Sequence, residues 1–168
     1  QARVAPNAAF WTKLATATGV EIRDPRVSAE LTGTWKRPLG RASLEAARLA
    51  IDPRKIARPI PAVDDLRVEV SGDRAGVTLT KFHLSVEGQS VRAEGRLPLP
   101  DQNWSELLRE PWALARRGAD LRVEIPEADV AAFTRYLPAV LAPKGRVQAD
   151  LRYSNGGFEG FVRLSDAA

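Results

Sequence analysis

A repeated phrase constrains this chain more than any other feature. Asp65-Leu66-Arg67-Val68-Glu69-Val70 returns as Asp120-Leu121-Arg122-Val123-Glu124-Ile125, and its opening returns again as Asp150-Leu151-Arg152-Tyr153. Each copy alternates apolar and charged side chains, the period of a strand with one dry face and one wet face. A second echo joins the two ends: Val27-Ser28-Ala29-Glu30-Leu31 is answered by Val147-Gln148-Ala149-Asp150-Leu151, with Gly40, Ala42 and Leu44 standing where Gly160, Val162 and Leu164 stand later. Val91-Arg92-Ala93-Glu94-Gly95 repeats the start of that phrase. An array of amphipathic strands with one hairpin written twice is a scaffold signature, and it argues against a bespoke active site.

The 168 residues fit one domain, and 44% hydrophobic content is enough to bury a core. No run approaches the roughly 18 apolar residues that span a bilayer, and the start does not resemble a signal peptide. With no Met even at position 1, the chain reads as a segment of a longer protein, any membrane anchor lying outside it. The absence of Cys removes disulfides, thiolate metal ligands and Cys nucleophiles together. A net charge of +4 permits an anionic partner. Acids nevertheless flank most of the bases, as in Arg67-Val68-Glu69, which is the pattern of a solvated strand face.

Local signals predict mainly β structure with minor α: antiparallel amphipathic strands with two or three short helices. Asn7 as an N-cap, with Phe10, Trp11 and Leu14 at helical spacing, predicts a helix to Thr18. Strands begin at Val20, and a first hairpin turns over Trp35 to Gly40. Ile51 to Pro61 carries three prolines and suits a loop. Strands follow at Asp65 to Ser71, Gly76 to Leu84 and Ser90 to Leu97, joined by turns at Gly72-Asp73 and Gly88-Gln89. The dry parity moves from Val77 and Leu79 to Phe82, Leu84 and Val86, which predicts a bulge near Thr80-Lys81. Two helices are expected over 103–117 and 127–137. In the first, Trp104, Leu108 and Trp112 share a face beside Arg116 and Arg117, so it could cover the sheet or lie at a membrane interface. In the second, Val130, Phe133 and Leu137 share a face. Asn155-Gly156 marks a final hairpin.

Chemistry-bearing constellations are sparse. His83 is the sole histidine; it sits inside a strand with Ser85 on the same face and no local acid signature, so a triad is not expected. One His without Cys does not make a zinc site, and the acids lack calcium-loop spacing. Asp64-Asp65, adjacent on a strand, face opposite ways and suit a strand-start cap better than a shared proton. The aromatics do not interleave with Arg on one strand, so no nucleic-acid partner is expected. No enzyme and no cofactor is read from these residues.

The stretch Leu31-Thr32-Gly33-Thr34-Trp35-Lys36-Arg37-Pro38, followed by alternating strands and Val91 to Leu97, resembles the L-x-G-x-x-x-x-P hairpin units of the TamB and AsmA-like envelope proteins. Leu121 to Tyr136 and then Gly145 to Leu151 are similar to the strand, short helix and hairpin that recur in that family. The resemblance runs from about Val20 to the end. It implies a periplasmic segment tethered to the inner membrane from outside this piece, folded as a curved, taco-like sheet with an apolar groove. It further implies a role in phospholipid transport between the inner and outer membranes or in outer-membrane protein assembly with a barrel partner. Residues 1–168 would form one segment, with a hairpin array over 20–100 and helix-interrupted strands and a last hairpin over 101–168. The groove would be lined by Leu66, Val68, Val70, Val77, Leu79, Val91, Ala93, Leu97, Leu121, Val123, Ile125, Val147, Leu151, Val162 and Leu164, with acyl chains as its cargo. Arg67, Arg122 and Arg152 would lie on the outer face. The competing expectation is an interaction module whose exposed sheet edge adds a strand to a partner.

Overall fold

A computed structural model describes residues 8–34, 37–51, 60–98, 118–136 and 144–166. They form a mainly antiparallel β sheet that is not closed, with strands making up 71% of them and one short α-helix beside it. Helix α1 spans Ala8–Thr18, and Gly19, at φ 74°, ends it by donating its N–H to the Ala15 carbonyl. Nine strands follow: β1 Val20–Arg23, β2 Arg26–Thr34, β3 Arg37–Ile51, β4 Val63–Gly72, β5 Gly76–Val86, β6 Gln89–Pro98, β7 Asp120–Asp129, β8 Arg146–Ser154 and β9 Gly157–Ser165. The 15-residue β3 pairs with β2 over its first nine residues and with β1 over its last four. From there each strand pairs with the next, β3 through β9.

The echo between the two ends is realised as a repeated register. In the first hairpin Val27 faces Leu44, Ala29 faces Ala42 and Leu31 faces Gly40; in the last, Val147 faces Leu164, Ala149 faces Val162 and Leu151 faces Gly160. The two glycines even share a backbone conformation, φ 142° at Gly40 and 132° at Gly160. A side chain at Gly160 would also meet the Asp150 carbonyl oxygen at 2.0 Å, so only glycine fits.

Turn chemistry explains where strands stop. Asn155 and Gly156 take φ 50° and 82°, both positive as a two-residue type I′ turn requires. Glu87 and Gly88 do the same at 53° and 77°, so that turn lies one residue before the expected Gly88-Gln89. Between β4 and β5 the Asp73 carboxylate accepts the N–H groups of Ala75 and Gly76 at 2.7 and 2.9 Å, an Asx turn. A register shift between Leu79 and Phe82 places a bulge at Thr80-Lys81.

The expected helix over 127–137 is corrected. A bulge between Ile125 and Ala128 absorbs Pro126, a tolerated place for a residue without an N–H, and β7 runs on to Asp129. A 3-10 helix then spans Val130–Tyr136, its start capped by the Asp129 carboxylate, which accepts the Ala131 N–H at 2.9 Å. The region 103–117, with Trp104, Leu108 and Trp112, lies outside the described residues, as do Leu137 and most of the proline-rich loop.

Among the described residues the packing is that of a single layer. Buried apolar residues are Ala46, Leu66, Ala128 and Ala149, and no large side chain among the described residues is fully buried. The sheet therefore presents two broad faces, and function has to be sought on them and on the edges.

Candidate functional site

Register alone sorts the side chains. Cα partners in an antiparallel pair share a face, and one row of partners runs Val27, Leu44, Val68, Phe82, Ala93, Val123, Leu151 and Gly160, one residue from each of β2 to β9. A second row runs Ala29, Ala42, Val70, Leu79, Gly95, Leu121, Tyr153 and Phe158. Seven strand spacings of about 4.8 Å make each row about 34 Å long. All fifteen residues expected to line a groove lie on this face, because the bulges at Thr80-Lys81 and Pro126 keep parity in step across the sheet. Several remain open to solvent: Leu121 is 37% exposed, Leu164 57% and Val162 62%. Phe82 and Leu84 belong with them although the expected lining omitted them; the parity change that predicts the bulge was the signal. Tyr153 and Phe158 were missed too, their rings 4.9 Å apart in a tilted contact.

The opposite face is a lattice of ion pairs. Asp-Leu-Arg in β7 pairs with Asp-Leu-Arg in β8 so that Arg122 and Arg152 stand directly opposite, a repulsive placement. Each guanidinium escapes it by reaching diagonally to the other strand's acid. Arg122 donates to Asp150 at 2.9 and 2.6 Å, and Arg152 donates to Asp120 through two nitrogens, Nε at 3.0 Å. These bidentate bonds hold the Asp150 and Asp120 carboxyls below the usual carboxylate value of 3.8 and push both guanidiniums up. The first copy behaves differently: Asp65, at φ 51° in a bulge, turns back to bind Arg67 of its own strand at 2.9 Å. Thus Asp65 is a bulge residue rather than a plain strand-start cap, while Asp64 pairs with Arg48 across β3 at 3.4 Å. A hollow of about 760 Å³ opens on this charged face between Arg96, Asp120, Arg122, Arg152, Glu159 and Phe161.

Two further clusters were invisible in sequence. His83 lies between Asp65, 3.6 Å from its Nε2, and Ser90, 3.5 Å from its Nδ1; Ser85, the expected neighbour, makes no such contact. Both distances exceed the roughly 2.6–3.2 Å of a base poised on a nucleophile. At the end of the sheet Glu87 accepts from the Tyr136 hydroxyl and pairs with Arg135. The Arg135 and Tyr136 hydrogen bonds hold the Glu87 carboxyl below its ordinary 4.5, and burial first, then the bond to Glu87, raises the Tyr136 phenol. This pins the 3-10 helix to the β5–β6 turn, helped by the Asp129 N–H donating to Gln89 Oε1 at 3.0 Å.

No family model, no curated protein and no solved structure matches this chain. Among the described residues no group of three metal-binding side chains occurs, and no helix is long and apolar enough to cross a membrane. What the arrangement offers chemically is therefore two-sided: an apolar surface eight strands wide, backed by a salt-bridged polar one.

Proposed function

We propose that this chain is a non-catalytic segment of a periplasmic envelope protein, tethered to the inner membrane by a part outside it, whose apolar sheet face shelters phospholipid acyl chains. The observation that carries this reading is the unbroken apolar face from β2 to β9. Among the described elements the extensive contacts of each strand are with its sheet neighbours, and those of α1 are with the edge strand β1. Water against such a surface is costly, and each methylene laid on it gains about 0.8 kcal/mol. The resemblance to the TamB and AsmA-like proteins supports the same role, in lipid passage toward the outer membrane or in outer-membrane protein assembly. The open edge of β9 favours a second reading, a module that binds a barrel or other envelope partner by strand addition.

Native mass spectrometry of the purified protein tests the first reading against a Val68→Asp/Val123→Asp variant. Both positions lie in the same apolar row, three strands apart. Phospholipid should co-purify with the wild type and be lost from the equally folded variant. A lipid-free wild type, or a variant that retains its lipid, overturns it.

A further inference from the structure

β9 carries four of the seven large apolar side chains that stand exposed among the described residues: Phe158 at 77%, Val162 at 62%, Leu164 at 57% and Phe161 at 44%. It pairs with β8 on one side and with no described strand on the other. A proline-free edge strand with exposed apolar side chains is a template for another strand. The repeated hairpin shows what such a slot takes. Its counterpart β3 has the matching edge filled by β4, where Glu69 faces Ser43, the position equivalent to Arg163. In β9 that position is basic, so the slot calls for an acid opposite it.

β9 contains that acid. Glu159 and Arg163 sit symmetrically about Phe161 on the charged face; Glu159 stands opposite Arg152 of β8, whose guanidinium is hydrogen-bonded to Asp120, and Arg163 lies over the Phe161 ring, 5.5 Å from its centroid. We propose that the open edge of β9 pairs antiparallel with β9 of a second copy, about a two-fold axis through Phe161. In that register Glu159 faces the partner's Arg163, and Arg163 faces the partner's Glu159. On the apolar face, Phe158 meets the partner's Leu164 and Gly160 meets the partner's Val162. Dry positions meet dry and charged positions meet opposite charge, as an isologous interface requires. The axis stands perpendicular to the sheet, so the apolar rows of the two copies run on into each other. The proposal does not rest on lipid binding, since the edge lies in the plane of the sheet and the apolar face lies normal to it.

Sedimentation velocity over a concentration series tests it. The wild type should dimerise reversibly, more weakly as salt rises. Arg163→Glu sets four carboxylates against one another and should weaken the dimer about tenfold or more; within one chain, position 163 faces Gln148, so circular dichroism and thermal unfolding should be unchanged. Glu159→Lys/Arg163→Glu should restore it. The chain has no cysteine, so Phe161→Cys, which faces itself at about 4.5–5.5 Å between Cα atoms, should form a disulfide dimer on oxidation while Phe158→Cys should not. A monomer throughout the series, an Arg163→Glu dimer of unchanged affinity, equal crosslinking at both positions, open-ended filaments, or capture of a β4-sequence peptide by a monomer would each overturn the two-fold β9 pairing.

Discussion

At the residue scale, the balance between charges on the polar face decides how the sheet responds to acid. Asp120 and Asp150 have folded values below their ordinary 3.8 because each binds an arginine on the neighbouring strand. The native state then holds fewer protons than the unfolded chain, so the contribution is fully present above the ordinary value. It is lost as pH falls through 3.8 toward the depressed folded values. Denaturant unfolding at low salt should therefore give a stability that is level at neutral pH and falls below about pH 4. Asp150→Asn should lower stability at neutral pH and flatten that acid fall. A fall as steep as wild type in the variant would show that the Arg122–Asp150 pair is not its source. The reciprocal pairing itself was written in the chain as a repeated Asp-Leu-Arg, yet not legible there, because alternation assigns faces without saying which strands are neighbours. The same is true of His83, Asp65 and Ser90, which come together from three strands.

At the element scale, the two copies of the hairpin share both register and the glycine that makes it possible. Gly160 combines a positive φ with a backbone oxygen where a side chain would begin. Gly160→Ala should cost about 1–3 kcal/mol in urea unfolding, whereas a neutral result would show that β9 can shift its register against β8. Strand positions and faces were largely legible, since alternation with Gly, Pro and Asn-Gly punctuation states them directly. Two elements were not. β7 passes Pro126 by a bulge and runs on to Asp129, where the shared face of Val130, Phe133 and Leu137 suggests a helix from Glu127. β1 begins at the expected Val20, but its pairing beyond β2 on the same long β3 was not legible, because a four-residue strand does not state which strand it joins.

At the scale of the whole molecule, the sheet separates its chemistry by face: salt bridges on one side and aliphatic and aromatic rows on the other, where the four buried apolar residues among those described also lie. A structure with so little interior draws its purpose from what covers the apolar side. Neighbouring positions on β7 report the two faces independently, because Val123 lies in the apolar row while Arg122 lies among the ion pairs. A photo-crosslinking amino acid placed at position 123 or at position 122, in protein mixed with phospholipid vesicles, tests acyl-chain binding most directly. The apolar-face account predicts lipid adducts from position 123 and few from position 122; adducts in equal amount from both positions, or from position 122 alone, would contradict it.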